Sequence, residues 1–130
     1  RALRELRLPA EAGVPQVGTS LGVAGWNEAA AGERYVHVAA DQAWIALGER
    51  ADAAPSVAEA NARIDAFERD GATTRLRLSG HVPLSLSLRH PAGCSVSLAG
   101  RRLGAVRVAD GLHHYATSRD GTETLTIGCP

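Results

Sequence analysis

Between Thr73 and Arg89, apolar and polar residues alternate one for one. Leu76 and Leu78 stand against Arg75, Arg77 and Ser79, and beyond Gly80 the series resumes with Leu84, Leu86 and Leu88 against Ser85 and Ser87. Side chains on a strand point to its two faces in turn, so this stretch predicts two half-buried β-strands, apolar on one face and polar on the other.

The same pattern, less regular, recurs along the chain. Candidate strands are Ala2 to Leu8, Leu21 to Trp26, Arg34 to Ala39, Ala43 to Leu47, Cys94 to Leu98, Ala105 to Val108, His113 to Thr117 and Glu123 to Cys129. Asp70-Gly71, Ala99-Gly100, Asp110-Gly111 and Asp120-Gly121 punctuate them as turns. Short strands at this spacing predict an all-β fold, an antiparallel β-sandwich of jelly-roll type. One segment carries a helical signal. Ser56 with Glu59 three positions on forms a capping box, and Val57, Ala60, Ile64 and Phe67 fall at helical spacing. Ala62, Ile64 and Ala66 also alternate, so we expect a short helical turn near Ser56 and a strand from Asn61 onward.

At 130 residues the chain is read as one domain, residues 1–130, an accessory unit of a longer protein. Its 45% apolar content includes 24 alanines, and only 28 residues are Val, Leu, Ile or Phe, which predicts a thin core. Fourteen arginines balance fourteen carboxylates and form no basic stripe, which argues against nucleic acid or an anionic membrane as partner. No apolar run approaches the roughly 20 residues that span a bilayer.

Cys94 and Cys129 are the only cysteines, the second being the penultimate residue. Pairing would clamp a C-terminal strand and suit a periplasmic or extracellular setting, whereas two buried thiols would suit the cytosol. No catalytic constellation accompanies them. Gly18-Thr19-Ser20-Leu21-Gly22 matches the G-x-S-x-G elbow of α/β-hydrolases, but Gly22 and Gly25 follow where that chemistry needs a helix. His113 and His114 are neighbours and point to opposite faces of an extended segment, so they cannot share a metal. Asp41, Asp110 and Asp120 fall in expected turns. No metal or cofactor is expected, and the domain reads as non-catalytic.

The five aromatics are Trp26, Tyr35, Trp44, Phe67 and Tyr115. If Ala40-Asp41 is the tip of a hairpin with an even loop, His37 opposes Trp44, and Tyr35, His37 and Trp44 share a face. Trp44, Tyr35 and Trp26, with His37 as a polar neighbour, are therefore the candidate ligand-binding residues, a stacking platform for sugar rings.

The runs Leu21-Gly22-Val23-Ala24-Gly25-Trp26-Asn27, Arg34-Tyr35-Val36-His37-Val38, Ala60-Asn61-Ala62 and Gly80-His81-Val82-Pro83-Leu84, ahead of Cys94, resemble the C-terminal β-rich region of PelA-type proteins. These are periplasmic, modular enzymes of Pel exopolysaccharide biosynthesis, with separate glycoside hydrolase and polysaccharide deacetylase domains. The resemblance implies a carbohydrate-binding or substrate-positioning module and carries over no catalytic or metal-binding position. Its implied partner is a partially deacetylated, cationic amino-sugar polysaccharide. The alternative reading is a structural or protein-interaction domain that packs on a catalytic domain of the same chain or docks a secretion or biosynthesis-complex protein.

Overall fold

The computed structural model describes residues 3–120 and 122–130. Fourteen strands form among them: β1 (Glu5–Leu8), β2 (Val14–Pro15), β3 (Val23–Glu28), β4 (Arg34–Val38), β5 (Leu47–Gly48), β6 (Ser56–Ala60), β7 (Arg63–Asp70), β8 (Thr73–Ser79), β9 (Pro83–Arg89), β10 (Ser95–Leu98), β11 (Arg101–Leu103), β12 (Arg107–Ala109), β13 (Leu112–Asp120) and β14 (Thr124–Gly128). The larger sheet runs β1-β4-β3-β6-β9-β13-β12, the smaller β11-β10-β14-β8-β7, and β2 pairs with β5 apart from both. Every ladder is antiparallel except β3 with β6, which are parallel.

The alternation read from Thr73 to Arg89 holds. Leu76 and Leu78 of β8 and Leu84, Leu86 and Leu88 of β9 are buried, while Arg75, Arg77 and Ser85 are exposed. The two strands lie in different sheets, so their leucines meet across the sandwich, joined by Ile64, Val96, Leu98, Leu125 and Ile127. A second cluster of Val14, Val17, Val23, Trp26 and Val36 closes one end and is linked to the first through Phe67.

The turns follow their residues. Ala99 and Gly100 both have positive φ, as do Asp110 and Gly111, which is the primed two-residue turn whose twist suits a hairpin. Asp120-Gly121 is the exception, because Gly121 lies outside the described residues; so does Ala2, the first residue of the strand expected at Ala2 to Leu8.

Two expectations are corrected. Ser56 opens a strand, β6, instead of a helical turn. Ser56 is buried and stands opposite Arg89 of β9, while the next residue, Val57, pairs in parallel with Gly25 of β3, and this tertiary pairing overrides the local capping signal. The Ala40-Asp41 hairpin does not form. Both edges of β4 are taken, by β1 (Glu5 opposite His37) and by β3 (Gly25 opposite His37), so the 43–47 segment has no edge to join. Trp44 instead exchanges backbone hydrogen bonds with Leu21, at 2.8 and 2.9 Å.

Cys94 and Cys129 are bonded, with Cα atoms 4.2 Å apart. Ser95 of β10 stands opposite Gly128 of β14, so the cysteines are the next opposed pair along that ladder. The bond fits an oxidising compartment. No helix among the described residues is long and apolar enough to cross a membrane.

Candidate functional site

Strand register places one polar residue from each strand of the larger sheet in a line across its outer face. Arg7 on β1 stands opposite Tyr35 on β4, and Tyr35 stands opposite Asn27 on β3. The Asn27 amide donates to Glu59 Oε2 on β6 at 3.3 Å. Glu59 stands opposite Ser87 on β9, Ser87 opposite His114 on β13, and His114 opposite Arg107 on β12. On the five inner strands the apolar neighbours of these residues, Trp26, Val36, Ala60, Leu86, Leu88 and Tyr115, are buried, whereas on the two edge strands Leu6 and Val108 are 47% and 60% exposed.

The row crosses all seven strands, which at about 4.8 Å between neighbours is roughly 29 Å. Guanidinium groups mark its two exposed ends; between them Tyr35, Asn27, Glu59 and His114 are half-buried and Ser87, at 8% exposed, is buried. Arg7 is held by Glu33 at 3.1 Å and lies 5.7 Å from the centre of the Tyr35 ring. The line therefore offers a phenol, an amide, a carboxylate, a hydroxyl and an imidazole between two cations.

Ser87 and His114 look like a nucleophile and base, with Oγ and Nδ1 2.6 Å apart, but the proton is on the wrong atom. Arg107 Nη2 lies 3.4 Å from His114 Nε2, and a guanidinium can only donate. Nε2 therefore accepts, Nδ1 carries the hydrogen, and Nδ1 donates to Ser87. An imidazole in that tautomer cannot withdraw the serine proton.

His37 lies on the same face of β4 as Tyr35 but is only 1% exposed. Its ring crosses over Gly25 to reach β6, where Nε2 donates to the Ala58 carbonyl at 2.6 Å. Its Nδ1 sits 3.1 Å from Glu5 Oε2 on β1, an ion pair when the imidazole carries its second proton. Glycine at position 25 lets β6 lie against β3 closely enough for this reach, because an added Cβ there would fall inside the backbone of Val57. His37 thus ties β1, β4 and β6 together beneath the row.

The four residues expected to form one platform are separated. Trp26 is 6% exposed and belongs to the end core, its ring under the guanidiniums of Arg89 at 3.8 Å and Arg34 at 5.7 Å. It stands opposite Val36, on the face of the sheet away from Tyr35 and His37. A chain with few aromatics uses its large ring for core area, and that removes Trp26 from any exposed surface. Trp44 is 60% exposed and lies in the 40–47 loop, outside the larger sheet. Only Tyr35 falls in the polar row. Asn27, Glu59, Ser87, His114 and the two terminal arginines were not among the ligand-binding residues expected from the sequence, where His114 was weighed only as a metal ligand and Glu59 only as a helix cap. Ser87 was readable as the polar face of its strand; the register joining it to the others was not.

The serine of the G-x-S-x-G run is structural. Ser20 donates to the Gln16 carbonyl at 2.7 Å and accepts from the Ala46 amide at 2.9 Å, fastening the 43–47 loop to the turn before β3. Asp120 accepts from the Thr122 amide at 3.2 Å as a turn former. Among the described residues no three histidine, cysteine, aspartate or glutamate side chains converge as a metal site. Comparisons with family models, with curated proteins and with solved structures find no match.

Proposed function

We propose that this chain is a non-catalytic carbohydrate-binding or substrate-positioning module of a periplasmic or extracellular enzyme that modifies an amino-sugar exopolysaccharide. The observation that carries the reading is the polar row. A sugar polymer presents hydroxyls and amides at regular intervals, and the row sets neutral donors and acceptors along a line long enough for several rings laid across the strands. Because the chain has no net charge, long-range attraction to a cationic polymer is weak, and recognition falls to local groups. Glu59 supplies a carboxylate midway along the row, on which a cationic amino group can pair. The resemblance to the β-rich region of PelA-type proteins points the same way.

The test is calorimetry or affinity electrophoresis of the domain with partially deacetylated amino-sugar oligomers, beside a neutral glucan. We expect selective binding to the amino sugar. Replacing Tyr35 and Asn27 together with alanine is expected to weaken it by roughly 10-fold or more, the equivalent of ~1.4 kcal/mol. Equal binding by the variant, or none by the parent up to millimolar oligomer, overturns the proposal.

One observation favours a second reading, a docking domain for a catalytic domain or a biosynthesis partner. Strand β12 is an edge of the larger sheet, and Val106 and Val108 beside and within it are 68% and 60% exposed. An edge with apolar side chains is a template for pairing with another chain. Absence of sugar binding together with association through this edge would favour it.

A further inference from the structure

A second group of polar side chains, on the outer face of the smaller sheet, is cationic. On β8, Arg75 and Arg77 alternate with the buried Leu76 and Leu78, so both guanidiniums stand on the solvent side, their Cα atoms about 6.8 Å apart. Register sets Thr124 of β14 opposite Arg77 on one side and Ala66 of β7 opposite it on the other. Glu68 of β7 stands opposite Arg75. All five residues are exposed and line one cleft of about 320 Å³. Alanine at position 66 leaves the hollow, which a longer side chain would fill. The volume is at the small end of the range for ligand sites, roughly 300 to 1,000 Å³, and suits a single sugar ring.

The two guanidiniums are loosely held. Arg75 Nη1 lies 3.6 Å from Glu68 Oε1, an ion pair between side chains 45% and 70% exposed, and such pairs are weak. Among the described residues no carboxylate lies within ion-pair distance of Arg77. Asp65 is engaged elsewhere. The Ser79 hydroxyl and then Arg63, whose Nε donates to it at 2.8 Å, hold its carboxyl below the ordinary range against a small cost of burial, and Arg77 contributes least.

A guanidinium is a planar fork that matches two oxygens of an anion, so two forks and a hydroxyl call for more oxygens than the two of a carboxylate. A sulfate or phosphate ester offers three. The Ala66 methyl and the aliphatic stems of the arginines give the cleft an apolar wall on which the C–H face of a ring can lie. We propose that this cleft binds one sugar unit bearing a sulfate or phosphate ester, with Arg75, Arg77 and Thr124 donating to the ester oxygens and the ring packed on Ala66. The site lies on the other sheet from the polar row and does not depend on it.

The experiment is an amide chemical-shift titration of the ¹⁵N-labelled, disulfide-bonded domain with glucose 6-sulfate and glucose 6-phosphate, beside glucose, inorganic sulfate and inorganic phosphate. Saturable shifts at Ala66, Arg75, Arg77 and Thr124 are expected with both esters, weaker binding with the free ions and none with glucose. Arg77→Gln is expected to weaken ester binding roughly 10-fold or more, through loss of a charged hydrogen-bond partner. Arg101→Gln removes an exposed guanidinium outside the cleft and should leave binding unchanged. Glu68→Gln frees Arg75 and removes a like charge, and should tighten binding roughly 2- to 5-fold. A gain in affinity does not come from a damaged fold, so this variant keeps the proposal testable if Arg77→Gln is destabilised. Absence of shifts in the cleft, unchanged binding by Arg77→Gln, or no tightening by Glu68→Gln overturns the site, and equal affinity for the free ions and the esters overturns its assignment to a sugar. Amino-sugar oligomers, which carry the opposite charge, should shift none of these residues, so the two faces are tested apart.

Discussion

Replacing Cys94 and Cys129 with serine is expected to lower the unfolding free energy by about 4 kcal/mol. The bond closes a loop with a sequence separation of 35, and chain-entropy reasoning for a loop of this length gives that figure. The folded state changes little, because β10 and β14 stay paired through Ser95–Leu98 and Thr124–Gly128 without the bond. The loss arises in the unfolded chain, which regains the freedom the cross-link removed. Against a total margin typically of ~5 to 15 kcal/mol this is a large fraction, and in a scanning calorimeter it should appear as a midpoint lowered by roughly 10 to 20 °C. A difference below about 1 kcal/mol between the oxidised parent and the serine variant would mean that the bond is not what holds the C-terminal strand.

The two tryptophans are expected to behave oppositely. Trp26→Ala deletes a ring that fills the end core against Val36 and Phe67 and lies under two guanidiniums, and a cost of about 3 to 5 kcal/mol follows. Part of that loss is electrostatic, since Arg89 also donates to the Trp26 carbonyl and would keep that bond while losing the ring. Trp44→Ala removes a mostly exposed ring whose loop is held by backbone bonds to Leu21, and should change stability by no more than ~0.5 kcal/mol. Urea denaturation of the two single variants separates them. Similar stabilities would place Trp26 outside the core and reopen a joint aromatic surface.

This contrast also marks where the sequence stops informing. Alternation from Thr73 to Arg89 was legible because β8 and β9 each have one face on the core, and a period of two needs no knowledge of neighbours. The hairpin turns at Ala99-Gly100 and Asp110-Gly111 were legible for the same reason, being set by residues within the turn. Which strand lies beside which is a long-range matter. Nothing local says that β1 occupies the edge of β4 that Trp44 needed, or that β6 pairs in parallel with β3 through Val57 and Gly25, with all of β4 and β5 between them in sequence. The candidate site suffers most from this, since its row exists only through register. Arg7, Tyr35, Asn27, Glu59, Ser87, His114 and Arg107 come from seven separate strands. The Cys94–Cys129 bond stood between two alternatives in sequence and is settled by the ladder that sets the two residues opposite each other.

The claim that the outer face of the larger sheet binds a polysaccharide is tested most directly by amide chemical-shift mapping. The ¹⁵N-labelled domain would be titrated with a partially deacetylated amino-sugar oligomer. Shifts concentrated at Tyr35, Asn27, Glu59, Ser87 and His114, with β8, β10 and β14 unaffected, are the predicted result. Shifts confined to the Val106–Val108 edge or to the Trp44 loop, or none at millimolar oligomer, would contradict it.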